Sequence, residues 1–166
     1  MGATLWRFKS SLPHHLCLLE RGGSSVKPYE QFRELLDGND LFYKVDFLDN
    51  GKTLFRIPQK LKSGGFVDML LFFEDDNIKI LVAKIATIDD PDKLAQCYAI
   101  LNESNCNYKY FKMYVDSDGD VMLSCDLAMD IVTEGVFSPE TVLAYVGASI
   151  KVINENYPKI MKLLWA

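Results

Sequence analysis

Asp116, Asp118 and Asp120 stand at alternate positions in the stretch YVDSDGDVML, with Gly119 between the last two. Carboxylates at that spacing suit three tasks: ligating calcium, pairing as acid and base, or solvating a turn. A helix-flanked calcium loop needs glycine at its sixth position and a bidentate glutamate at its twelfth. Counted from Asp116, those positions hold Val121 and Leu127, which supply neither the sharp turn nor the oxygen. Acid–base catalysis asks for paired carboxylates in a walled pocket that drives their pKa values apart. The flanking segments argue for the turn instead. KYFKMYV and VMLSCDL alternate with period 2, the signature of strands, so the expectation is a hairpin tip with exposed, solvating aspartates.

The hairpin's register follows from its loop. With Ser117-Asp118-Gly119 as a three-residue loop and Gly119 left-handed, Val115 faces Val121, Met113 faces Leu123 and Phe111 faces Cys125 on one apolar side. Tyr114–Met122, Lys112–Ser124 and Tyr110–Asp126 form the other side. A two-residue turn would slip the pairing by one and mix the two faces.

The remaining reactive side chains assemble nothing. Cys17, Cys97, Cys106 and Cys125 contain no C-x-x-C pair, and the two histidines, His14 and His15, are adjacent. Neither a zinc site nor a disulfide framework is expected, and a reducing, cytoplasmic setting is. A net charge of −5 without a basic stripe argues against nucleic acid, whose phosphates need Lys and Arg to neutralise them. No apolar run approaches the ~20 residues that cross a bilayer. No catalytic residue, cofactor or metal ligand is assigned.

What would position any site is an α+β domain. The 166 residues suffice for one domain that buries roughly 70% of its unfolded surface. Residues 1–25 lack a sustained period and end in Gly22-Gly23-Ser24-Ser25, so they read as a flexible leader outside the fold. Residues 26–166 form the domain. Tyr29, Phe32, Leu35 and Leu36 make a first helix stopped by Gly38. LFYKVDFLDNGKTLFRI is a hairpin turning at Asp49-Asn50-Gly51, with Phe47 opposite Thr53, Val45 opposite Phe55 and Tyr43 opposite Ile57. Pro58–Gly65 reads as a connection. FVDMLLFF and IKILVAKIATI make a third hairpin, whose near-continuous apolar runs predict central strands covered on both faces. Asp90 caps a second helix begun by Pro91, with Leu94, Cys97, Tyr98 and Leu101 as its buried stripe. Ala128–Phe137 is a connector. Ser138-Pro139-Glu140 opens the last helix, which Pro158 ends or kinks to leave the tail KIMKLLWA. The order is α-ββββ-α-ββ-α, an antiparallel sheet of about six strands with helices on one face.

Leu101-Asn102, then Asn105, then YKYFKMYVDSDGDVMLSCDL, then a Ser-initiated apolar helix reaching Tyr157-Pro158, resembles the bacterial YbjN-like family of sensory transduction regulators. The likeness runs from about Tyr29 to Leu164. It implies a type III secretion chaperone-like fold, a homodimer, and the binding of a polypeptide rather than the turnover of a substrate. This chain adds a strand before the second helix and the leader. Asn102 and Asn105, near a helix end, read as satisfying loose backbone groups, and Tyr98, Tyr108, Tyr110 and Tyr114 as half-buried sheet residues with wet hydroxyls.

The expected function is therefore a non-enzymatic protein-binding or regulatory module; the alternative is a small hydrolase-type enzyme built on exposed aspartates. The candidate partner or dimer surface is Val142, Tyr145, Val146, Ile153, Tyr157, Ile160, Leu164 and Trp165. Apolar residues cover about half the last helix by the 100° step of an α-helix, more than one sheet face covers, and an uncovered remainder would be an interaction patch.

Overall fold

A computed structural model of the chain describes residues 26–128 and 137–166. The expectations for the leader and for most of the Ala128–Phe137 connector lie outside those residues. Among the described residues the element order is α1 (Pro28–Gly38), β1 (Lys44–Phe47), β2 (Thr53–Lys60), β3 (Phe66–Phe73), β4 (Asn77–Thr87), α2 (Pro91–Asn107), β5 (Lys112–Val115), β6 (Asp120–Ala128) and α3 (Pro139–Trp165). The strands form one six-stranded sheet in the order β1-β2-β3-β4-β6-β5. Every neighbouring pair is antiparallel.

Both glycine hairpins have the predicted register. Val45 pairs with Phe55 and Phe47 with Thr53; Lys112, Met113, Tyr114 and Val115 pair with Ser124, Leu123, Met122 and Val121. Gly51 and Gly119 take φ of 81° and 83°, the left-handed region that a Cβ would strain. The cap signals also work. The Asp90 carboxylate accepts from the Asp92 N–H at 2.9 Å, and the Ser138 hydroxyl accepts from the Thr141 N–H at 3.2 Å.

The core lies between the helices and the sheet face that carries Phe55, Met69, Leu71, Ile80 and Leu123, each fully buried. Phe32 of α1 meets Phe55 and Phe73 with ring centroids 5.4 Å apart in each case. Burying one such side chain contributes roughly 1.5–3 kcal/mol, and the aromatic cluster fastens α1 to β2 and β3. The alternate residues Leu70, Phe72 and Leu81 are only half-buried. The central strands are thus covered fully on one face, not on both as their continuous apolar runs suggested.

Three further expectations are corrected, and one feature of β4 is new. Pro58 belongs to β2 and pairs with Asp68. It falls past Arg56, the last β2 residue that β1 reaches, where the strand has a free edge that tolerates a missing donor. Strand β4 carries a bulge between Val82 and Ala86, with Lys84 at φ 52°. The bulge moves the buried positions from Ile78, Ile80 and Val82 to Ile85 and Ile88, because an inserted residue re-phases the pleat. On α2, Tyr98 is half exposed and Ser104 takes its place inward beside Cys97 and Leu101. Finally, α3 runs through Pro158 to Trp165, so the tail is helical.

Candidate functional site

The last helix was expected to leave much of its apolar surface uncovered. Instead, Val142, Val146, Ile153 and Ile160 are buried in the core. The reason is lateral: α1 and α2 flank α3 while β4 and β6 lie beneath it, so three directions of packing cover the wide stripe. Tyr145, Tyr157 and Leu164 are half-buried, and Trp165 is 82% exposed. The tail is held down, since the Lys93 ammonium donates to the Leu164 carbonyl at 2.9 Å.

What stays open on α3 is the strip that includes Tyr157, Pro158, Met161 and Trp165. It faces the β2–β3 loop. That loop is tight: the Leu61 N–H donates to the Gly65 carbonyl and the Gly64 N–H to the Leu61 carbonyl, each at 3.1 Å. Gly64 and Gly65 both have positive φ, and a Cβ on Gly65 would stand 3.1 Å from the Tyr157 hydroxyl oxygen. The Asn154 side chain accepts from the Lys62 N–H at 2.8 Å and ties loop to helix. Between them lies a groove of about 630 Å³ lined by Gly64, Gly65, Tyr157, Pro158, Met161 and Trp165, among others. Phe66, next in sequence, is 75% exposed. Paired glycines between two strands were visible in the sequence; that they open a wall beside Tyr157 depends on tertiary packing.

The aspartate loop is a different object. Asp116 accepts from the N–H groups of Asp118 and Asp120 at 3.0 and 2.9 Å, which stabilises the turn. Asp120 is buried rather than exposed, because β6 continues alongside β4. Its carboxylate accepts from the Thr87 hydroxyl at 2.6 Å and meets the Lys84 ammonium, presented by the bulge, at 3.2 Å. The Thr87 hydrogen bond, with Lys84 behind it, holds the Asp120 carboxyl below the usual carboxylate range. A general acid at neutral pH needs a shift in the other direction. The residues suit fastening β4 to β6, and a general-acid role poorly.

The other singled-out polar groups are also structural. Asn105, in the last turn of α2, accepts from the Met113 N–H at 2.8 Å and donates to the Met113 carbonyl at 2.9 Å. The side chain stands where another strand's backbone would stand, on the free edge of β5, and blunts that edge. Asn102 is exposed. Asn156, buried on α3, donates to the Ser104 hydroxyl and to the Val152 carbonyl at 2.9 and 2.8 Å. Tyr108 bonds to Glu155, and that hydrogen bond, with burial, raises its phenol above the usual value. Cys97 and Cys125 are buried thiols and Cys106 is exposed; burial pushes Cys125 up to about 12. No helix among the described residues is long and apolar enough to cross a membrane.

A six-stranded antiparallel sheet with three helices on one face defines the class: an α+β module, with an apolar groove beside the last helix. Residues 63–161 match the model of the YbjN family, described as a "Putative bacterial sensory transduction regulator", and the chain belongs to that family. No curated protein matches it. Among solved structures it is similar to the crystal structure of YbjN from E. coli, with a TM-score of 0.53 at 15% identity over 80% of this chain and 89% of that one. At that identity the likeness shows the fold alone.

Proposed function

We propose that this chain is a non-enzymatic regulatory module that binds a polypeptide segment in the groove between the end of α3 and the β2–β3 loop. One observation carries the reading: a concave apolar surface ends in a tryptophan that the fold leaves 82% exposed. Aromatic anchors of that kind concentrate binding energy at protein interfaces. The family's description as a regulator supports a binding role in general. The hydrolase alternative, built on exposed aspartates, has less support: Asp120 is buried and tied to Thr87 and Lys84, and Asp116 is engaged in its own turn.

The test uses a fluorescein-labelled amphipathic peptide with leucines at helical spacing and glutamines elsewhere, read by anisotropy. Saturable binding that Trp165→Ala and Met161→Glu each weaken about tenfold supports the groove. No saturable binding, or binding indifferent to both substitutions, removes it.

A further inference from the structure

The groove does not stop at Tyr157. A second hollow of about 460 Å³ continues it along the same side of α3, lined by Lys62, Gly147, Ile150, Lys151, Asn154 and Glu155. The Lys62–Asn154 tie lies in the lining of the second hollow. From Gly147 to Trp165 the helix extends roughly 27 Å at the α-helical rise, the length of several turns of a bound helix. The rim is mostly basic. Lys62, Lys151 and Lys162 line the two hollows, and none of them forms an ion pair with another described residue. Lys159, nearby on α3, is held by Glu103 at 3.5 Å. The lining's acidic side chain, Glu155, already accepts the Tyr108 hydroxyl. A rim of three lysines and one glutamate around an apolar floor is net positive in a chain of net charge −5, and it favours partners of opposite charge.

We infer that the groove's occupant is an acidic amphipathic segment of another protein, with apolar residues on the floor and Asp or Glu facing Lys62, Lys151 and Lys162. This rests on the polypeptide-binding reading and names its partner's chemistry. The chain's own leader has the wrong sign, with Arg7, Lys9 and Arg21 against Glu20 alone. A lipid surface would meet the exposed Trp165 and Phe66, but Tyr157 and Met161 sit half-buried in a concavity that a flat bilayer does not fill.

The full chain is titrated with three labelled peptides that share their leucines and differ in carrying Glu, Gln or Lys at the remaining positions. The Glu peptide should bind about tenfold more tightly than the Lys peptide, as three partly exposed ion pairs allow. That advantage should shrink with added salt, and Lys151→Glu with Lys162→Glu should reverse it. Equal affinity for all three peptides, each weakened by Trp165→Ala, overturns the acidic preference and leaves the groove standing. Absence of saturable binding by any of them overturns the groove itself. Two further results overturn the inference by naming a different occupant: phosphatidylserine vesicles binding where the Glu peptide does not, and self-association at micromolar concentration that Trp165→Ala abolishes.

Discussion

The carbonyl oxygen of Ile88 lies 2.8 Å from the point where a Cβ on Gly119 would stand, and the Ile88 N–H donates to the Gly119 carbonyl at 2.9 Å. The aspartate hairpin is therefore clamped to the end of β4, and glycine is required there twice, for its φ of 83° and for the close approach of Ile88. Gly119→Val should destabilise the fold by at least about 2 kcal/mol in chemical denaturation. A midpoint equal to that of the unsubstituted chain would contradict the clamp.

Asp120 carries a pH dependence whose sign is fixed. Its folded pKa is lowered, first by the Thr87 hydrogen bond and then by Lys84. The stabilisation it contributes is present above the unfolded carboxylate value, about 3.9, and is lost as pH falls through the lower folded value. Melting temperature followed downward from pH 5 should drop less for Asp120→Asn than for the unsubstituted chain. Identical slopes would mean that Asp120 titrates alike in both states.

Asn105 spans the N–H and carbonyl of Met113. Its replacement by alanine strands both groups on the edge of β5 and should cost about 1–3 kcal/mol. The same exposed edge should raise the tendency to self-associate on heating, read by light scattering. Leucine in its place, which restores volume without the amide, should rescue neither property.

Cys125, with its thiol pushed up to about 12, and Cys97, raised by burial, should resist iodoacetamide in the folded chain. Among the described cysteines, Cys106 is exposed and should be alkylated first. Peptide mapping by mass spectrometry decides it, and early label on Cys125 would mean that the β4–β6 core opens readily.

Local chemistry made much of this fold readable. Gly51 and Gly119 set two hairpin registers because a loop of fixed length leaves one pairing that keeps faces unmixed. Asp90 and Ser138 announced their helices through caps. The bulge was not read from the sequence, although the apolar spacing changes from two at Ile78, Ile80 and Val82 to three at Ile85 and Ile88. Pro158 misled because a helix interior tolerates proline when packing on both sides of it, here Ile153 and Ile160, outweighs a missing hydrogen bond. The site was half visible. Tyr157 and Trp165 were found on the apolar helix, but Val142, Val146, Ile153 and Ile160 proved to be core, because periodicity shows how wide a stripe is and not how many neighbours share it. The role of Gly64 and Gly65 needed the loop and α3 side by side.

The account's central claim is that the end of α3 and the β2–β3 loop bind a polypeptide. Amide shifts of the isotope-labelled full chain, titrated with the leucine-glutamine peptide, test it most directly. The account predicts saturable shifts confined to residues around Gly64, Gly65 and Tyr157–Trp165, lost in Met161→Glu. Saturable shifts centred instead on the opposite sheet face, at Leu70, Phe72 and Leu81, or no saturable shifts at all, would contradict it.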